Sequence, residues 1–395
     1  MTSIDNYSGG SPALIIEYID QLEGFQGWLV IDDLRYPLAA GGMRVQPGLS
    51  QAHLIKMAQN MTMKMRVCGL PIAGAKCGID YDPTAPGKKA AMTRFMAAIK
   101  PYIKHCYSMG PDLNTSMAEL ELIAKDLNID SVKMAIAEAQ GMELPHFLSR
   151  YKVLAHSVMA GWSLGQIRAG YGVAVAALTV LKGMNIEPGQ ATAAIQGFGT
   201  LAKATIAVLQ AHGVTIRAVA EAEKCVCTSK KCKILQDNSL LCCPNNLIPI
   251  PEIDNQNDIV VQSREAIYST DCDILILAAI ENVITTDNAD IIKAGAVVPG
   301  ANLAVSADAE ELLYQRHVTC LPSFMAGCGG SLAMNGLFAP ASTPSAQEVL
   351  DFEGHAMSGM IRETLRISAE EGISPSKAAL LYCDSLERSG KPYKI

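Results

Sequence analysis

Two lysines twelve positions apart, Lys64 and Lys76, and the later Asp112 are the residues whose types and surroundings best suit them to chemistry. Most lysines are solvated surface groups. Lys76, however, lies inside the run PIAGAKCGI (71 to 79), which holds no other charge and has two glycines that allow close backbone approach. Desolvation in such a setting disfavours the ammonium, lowers its pKa and suits the lysine to acid or base work near neutrality. Upstream, Ala40-Gly41-Gly42-Met43-Arg44 reads as a glycine-marked turn; downstream, Ser108-Met109-Gly110-Pro111-Asp112 sets one carboxylate after a turn. Two lysines and an aspartate can hold a carboxylate and move protons. Periodicity alone does not bring them together.

A second constellation concerns phosphate. Ile195-Gln196-Gly197-Phe198-Gly199-Thr200-Leu201-Ala202 closes an apolar run and opens a helical one, giving the G-x-G-x-x-A form of a dinucleotide-binding turn. Gly197 permits the turn, Gly199 lets the backbone approach a pyrophosphate, and small Ala202 lets helix and strand pack closely. The helix start at Thr200 and Leu201 offers free N–H groups to the anion. Glu221 follows 24 positions after Gly197, near the end of the next apolar run, where a carboxylate accepts from ribose hydroxyls and repels a 2′-phosphate. The expected cofactor is NAD, with NADP not excluded.

The elements that must position these groups alternate in period. β-like runs at 27 to 33 and 43 to 45 alternate with helical stretches at 50 to 66 and 89 to 105, and Lys76 falls in a glycine-punctuated loop between them. From about 170 the chain reads helix, strand, helix, strand, with further apolar strands in DCDILILAA (271 to 279) and AGAVVPGAN (294 to 302). Such strands predict a parallel sheet covered on both faces. Two helices fill 345 to 388, the second opening at Ser374-Pro375-Ser376.

With 395 residues, 49% apolar and 18% charged, the chain predicts two α/β domains with an active-site cleft between them. The expected division is a substrate-binding and oligomerisation domain over 1–150 and a Rossmann dinucleotide domain over 151–339. The helices of 340–395 are expected to pack back on the first domain. A net charge of -7 lacks the basic footprint of a nucleic-acid binder. No apolar run reaches the ~20 residues a membrane span needs, and the start MTSIDNYSGG has no export pattern, so the expectation is a cytoplasmic protein acting on small molecules. Five of twelve cysteines (Cys225, Cys227, Cys232, Cys242, Cys243) crowd an insertion at about 224–250. Their C-x-C and adjacent spacings are not the usual zinc knuckles, so no metal is expected.

Taken in order, GGMR, MTMK, LPIAGAKCG, GPD, GYGV, IQGFG, DILILAAIENVIT, GAN and the pair Gly329-Gly330 resemble the glutamate/leucine/phenylalanine/valine dehydrogenase superfamily over about residues 39 to 388. The resemblance implies reversible NAD(P)-dependent oxidative deamination of an L-amino acid to a 2-oxo acid and ammonia, by a homo-oligomer. It implies that Lys64 holds the substrate α-carboxylate beside Gly41 and Gly42, that Lys76 is the catalytic lysine and that Asp112 exchanges protons with the substrate nitrogen. Gly197, Phe198, Gly199, Thr200, Leu201 and Glu221 would bind the dinucleotide, and Ala278, Ala279 and Asn302 would lie near the nicotinamide ribose. Where glutamate-specific members carry a lysine and a serine for the γ-carboxylate, this chain has Ala40 and Met334, which predicts an apolar substrate side chain. The chain departs from the family pattern at Asn114 (glycine expected), Gln166 (arginine), Ala169 (threonine) and Gly327 (asparagine). These departures open the alternative of a catalytically impaired homologue that binds ligand or regulates.

Overall fold

The computed structural model describes residues 10–159, 161–228, 246–248 and 259–388. It divides into two compact units, the first running to Ser149 and the second beginning at Arg150.

The first unit is a five-stranded sheet with helices on both faces. Its elements are β1 (Leu14–Ile19), β2 (Gln26–Ile31), β3 (Ala39–Val45), α1 (Gln51–Val67), β4 (Ala73–Ile79), α2 (Lys88–Ala98), α3 (Lys100–His105), β5 (Tyr107–Pro111), α4 (Met117–Asp126) and α5 (Met134–Gln140). The sheet order is β1-β2-β4-β3-β5, with β3, β4 and β5 mutually parallel. Period-2 alternation divides the strands cleanly. Ala39, Met43 and Val45 of β3, Ala73, Ala75, Cys77 and Ile79 of β4, and Tyr107 and Met109 of β5 enter one core with Met92, Phe95 and Met96 of α2. The intervening residues take the other face, where α1 packs on β2 through Leu54, Met57 and Ala58 against Trp28 and Val30. Ser50 starts α1 by accepting from the His53 N–H at 3.3 Å, and Lys64 and Arg66 stand in its last turn, where cations suit the helix dipole.

Both glycine-marked turns of the sequence reading are strand interior. Gly41 and Gly42 lie within β3, and Lys76 lies within β4 rather than in a loop. The physical reason is close approach. A side-chain carbon on Gly41 would fall 1.6 Å from the Ala75 carbonyl oxygen, and one on Gly74 would fall 2.1 Å from the Ala58 oxygen of α1. The long helix expected over 89 to 105 breaks at Ile99 into α2 and α3, with Pro101 in the first turn of the second.

The second unit holds α6 (Leu164–Gly183), β6 (Thr192–Gln196), α7 (Thr200–Ala211), β7 (Thr215–Ala220), β8 (Cys225–Thr228), β9 (Ile259–Gln262), β10 (Ile274–Leu277), β11 (Ala296–Pro299), α8 (Ala307–Gln315), β12 (Thr319–Cys320), α9 (Gly329–Phe338), α10 (Ala346–Glu371) and α11 (Pro375–Arg388). Its sheet order is β9-β8-β7-β6-β10-β11-β12. The five strands from β7 to β12 are parallel as expected, whereas β8 and β9 add an antiparallel edge. From β6 the chain goes to β7 on one side and later to β10 on the other, which makes the carboxyl end of β6 a topological switch point. Between β10 and β11 the chain makes a 3-10 turn, Ala289–Ile291.

The carboxy-terminal helices group with this second unit, not with the first domain: α10 packs on α6 and α9, and α11 packs on α10. Their apolar stripes, including Val349, Leu350, Met357 and Ile361, are buried there. Helix α6 is long and apolar enough to cross a bilayer, yet 61% of its apolar window is buried among α7, α9 and α10, as befits a core helix. Of the cysteine-rich insertion, residues 229–245, with Cys232, Cys242 and Cys243, lie outside the described residues.

Candidate active site

In the first unit, β3 runs between β4 and β5, so Lys76 and Asp112 come from strands on either side of it. Met43 pairs with Cys77 on one edge and with Pro111 on the other, which brings Lys76 and Asp112 to one level. The Lys76 Nζ is 2.5 Å from Asp112 Oδ2, and Arg44 Nε, from the end of β3, reaches the same oxygen at 3.2 Å. Lys76 is 2% exposed, so the desolvation read from PIAGAKCGI is real. Gly74 and Gly78 flank it on its own face of β4, and α1 or its approach covers both.

Asp112 is fixed by its own turn: its N–H donates to Thr115 Oγ1 at 2.9 Å, and that hydroxyl donates to the Met43 carbonyl at 2.8 Å. Burial pushes the carboxyl up, but the Lys76 ammonium and the Arg44 guanidinium outweigh it and hold the group at about 2. Asp112 is therefore an ionised acceptor across the physiological range. Asn114, where the family pattern has glycine, sits at φ +61°, a left-handed position that asparagine tolerates better than other side chains. Its Nδ2 donates to the Val45 carbonyl at 2.9 Å, so this departure preserves the turn.

Gly42 pairs with Gly110, giving a floor without side chains beside Asp112; a carbon on Gly42 would meet Asp112 Cβ at 2.9 Å. Above that floor stands a residue the sequence reading missed. Lys133 is 7% exposed, and its Nζ is 3.5 Å from where a Gly110 side chain would begin. It is delivered by the turn that opens α5, where the Val132 carbonyl accepts from the Met109 N–H at 2.9 Å. Sequence gave little warning, because Asp130-Ser131-Val132-Lys133 reads as a polar connection. Lys64 is buried near the carboxyl end of α1, the helix that packs on β4; Ala40 lies on β3.

In the second unit, Gly197 occupies φ +113°, and a side-chain carbon there would strike the Ala278 carbonyl at 2.7 Å. Only glycine fits this turn. The Ala278 N–H donates to Gln196 O at 2.7 Å, which joins the ends of β6 and β10. Gly199 starts α7 with nothing within 4 Å of its missing side chain, leaving room at a helix N-terminus for an anion. Phe198 is buried, with the Lys203 ammonium 4.8 Å from its ring centroid; Thr200 is exposed, and Ala202 is buried against its surroundings as the third small residue. The Glu221 side chain is fully buried just past the end of β7; neither carboxylate oxygen makes a hydrogen bond, and the Lys224 ammonium lies 3.4 Å from Oε1. These features fit a dinucleotide. Ala279 is exposed at the end of β10, and half-buried Asn302 follows β11.

Of the remaining departures, Gln166 has a local structural role. Gln166 Oε1 accepts from the Ser163 N–H at 3.0 Å and closes a capping box at the start of α6. Arg168, beside Ala169, donates to the Gly330 carbonyl at 2.7 Å. Gly172 and Gly329 leave room for fully buried Glu353, whose carboxyl is raised well above its usual range by burial, against the pull of Arg168. Met334 is half-buried on α9.

A two-unit α/β protein, with a buried lysine–aspartate pair in one unit and a Rossmann-type glycine turn in the other, defines the class. The family model Glu/Leu/Phe/Val dehydrogenase, dimerisation domain, matches residues 16–129, and Glutamate/Leucine/Phenylalanine/Valine dehydrogenase matches residues 161–348. The chain belongs to this family of NAD(P)-dependent amino-acid dehydrogenases, oxidoreductases acting on the CH–NH2 group. It is 29% identical over 304 residues to glutamate dehydrogenase B of Halobacterium salinarum, spanning 76% of this chain and 66% of that one. It is 27% identical over 323 residues to the NADP-specific glutamate dehydrogenase of Saccharolobus shibatae, spanning 78% and 70%. The aligned residues thus cover about two thirds of these relatives' lengths. The fold matches the hetero-hexameric glutamate dehydrogenase of Thermus thermophilus in a Leu-bound form, with a TM-score of 0.75, 22% identity and coverage of 96% of this chain and 89% of that one. It also matches L-tryptophan dehydrogenase of Nostoc punctiforme, with a TM-score of 0.60, 14% identity and 98% coverage of each.

Proposed function

We propose that this chain catalyses the reversible oxidative deamination of an L-amino acid: amino acid, water and NAD(P)+ give 2-oxo acid, ammonium, NAD(P)H and a proton. The observation that carries the proposal is the Lys76–Asp112–Arg44 cluster on the glycine floor of Gly42 and Gly110. The dinucleotide, held by Gly197, Gly199 and the first turn of α7, supplies the hydride acceptor. Lys64, buried near the carboxyl end of α1, pairs with the substrate α-carboxylate. Asp112, ionised down to about pH 2, accepts from the substrate ammonium and orients it. Lys76, already within hydrogen-bond reach of Asp112, passes a proton to and from the water that attacks Cα and stabilises the oxygen that gains charge.

By the family resemblance, Ala40 and Met334 stand where glutamate-specific members carry a lysine and a serine, which supports an amino acid with an apolar side chain. One observation favours a second reading. The buried Lys133 ammonium beside Gly110 could meet an acidic side chain from another direction, in keeping with the glutamate-specific names of the relatives. A panel of leucine, methionine, phenylalanine and glutamate with NAD+ and with NADP+, followed by reduced-nicotinamide absorbance, separates the two; Lys133→Met should abolish any glutamate turnover and spare the apolar substrates. No turnover with any amino acid, despite measurable dinucleotide binding, would sink the dehydrogenase proposal and leave the ligand-binding homologue. The oligomer and its use of the first unit remain part of this proposal; sedimentation velocity of the full chain tests them.

A further inference from the structure

Strand β8 carries two cysteines with one residue between them, Cys225 and Cys227, and the period of a strand turns both to one face. That face meets the core of the second unit. Cys225 is 0% exposed in a cluster with Ala218, Ala220 and Cys272, whereas Cys227 packs against the same cluster and stays half-buried. Their Sγ atoms lie 3.4 Å apart, within reach of an S–H···S hydrogen bond. Burial decides its direction. Charge costs more on the enclosed sulfur, so the Cys225 S–H donates and Cys227 is the sulfur that ionises. This bond holds the Cys227 thiol below its ordinary range and pushes Cys225 up. Elsewhere burial pushes up the thiols of Cys77, Cys106, Cys272 and Cys320.

Oxidation of a thiol follows thiolate character and access, and Cys227 has both, with a second sulfur in contact behind it. We infer that Cys225 and Cys227 form a reversible oxidation site for hydroperoxides, with Cys227 attacking and Cys225 resolving. The Cys227 thiolate attacks one oxygen of hydrogen peroxide; the O–O bond breaks, hydroxide leaves, and Cys227 becomes a sulfenic acid. The Cys225 thiol then attacks that sulfur. The S–S bond forms, the S–O bond breaks, and the hydroxyl leaves as water with the Cys225 proton. Two thiols lose two electrons and two protons, and the peroxide ends as two waters. Residues i and i+2 of a strand stand about 6.4 to 6.8 Å apart at Cα, the outer end of the range a disulfide spans, so the bridge puckers β8 and is readily reduced by small thiols. None of this chemistry draws on the reaction proposed above.

Mass spectrometry of the full chain, treated with hydrogen peroxide, quenched with N-ethylmaleimide and digested with trypsin, reads the site directly, because Lys224 and Lys230 bound one peptide that carries both cysteines. The wild-type peptide should lose two hydrogen atoms and escape alkylation, and dithiothreitol should restore both thiols. Cys225→Ser should stop at a Cys227 sulfenic acid that dimedone captures, and Cys227→Ser should leave Cys225 reduced. A wild-type peptide that stays reduced while other cysteines are oxidised would overturn the site. So would a bridge from Cys227 to Cys232, Cys242 or Cys243 in place of Cys225. Equal dimedone capture in the two single variants would overturn the assigned order of attack.

Discussion

Glycine does two different jobs in the two units. In β3 and β4 of the first unit, Gly41, Gly42 and Gly74 lie in ordinary strand backbone and matter because neighbouring main chain occupies the space of a side chain. At the β6–α7 turn of the second unit, Gly197 is needed for its φ of +113°, while Gly199 faces open space. The first kind builds the site, because close strand and helix approach sets Lys76 against Asp112. The second kind keeps room for a ligand. Position in the fold, not residue type, decides which penalty a substitution incurs.

The comparison can be broken at several points. The largest effect on turnover is expected from Lys76→Ala, a fall of about a thousandfold in kcat with dinucleotide affinity retained; a loss under tenfold would remove Lys76 from the chemistry. Gly41→Ala should cost about 4 kcal/mol or more in urea unfolding, because its new carbon would lie 1.6 Å from a backbone oxygen that cannot retreat without tearing β3 from β4. Gly199→Ala should do the reverse, leaving stability within about 0.5 kcal/mol and weakening dinucleotide binding about tenfold or more. Equal behaviour of these two variants would erase the distinction.

Smaller effects sharpen the charged site. Asp112 titrates at about 2 in the folded chain and near ~3.9 when unfolded, so its contribution, on the order of 2 kcal/mol, is present above about pH 4 and is lost as pH falls toward 2. Acid unfolding of Asp112→Asn should lack that part of the pH dependence; parallel wild-type and variant curves would show that the ion pair does not carry it. The smallest change is expected at Asn114. Asn114→Gly should stay within about 0.5 kcal/mol of wild type, and Asn114→Ala should lose about 1 kcal/mol, since alanine gains nothing at φ +61°.

Much of this was legible in one sequence. Apolar runs of strand length alternating with helices foretold the parallel sheet, and Gly197-Phe198-Gly199 between an apolar strand and a helix located the switch point, because that turn has local steric requirements. The residue types at the charged site were also legible: Lys76 stood out by lacking charged neighbours. Its setting was misread. Glycines beside Met43 and Lys76 look like turns, and only the approach of α1 and of adjacent strands shows why glycine is needed inside a strand.

The sequence by itself therefore determined what depends on neighbours along the chain: the elements, the dinucleotide turn and the isolation of Lys76. Tertiary structure alone decided what depends on distance across it. It set Arg44 and Lys76 on one oxygen of Asp112, brought Lys133 over Gly110, and moved α10 onto α6 with α11 packed on α10. Charge interactions act over a few ångströms of space regardless of separation in sequence, and no local pattern encodes which strand will lie beside which.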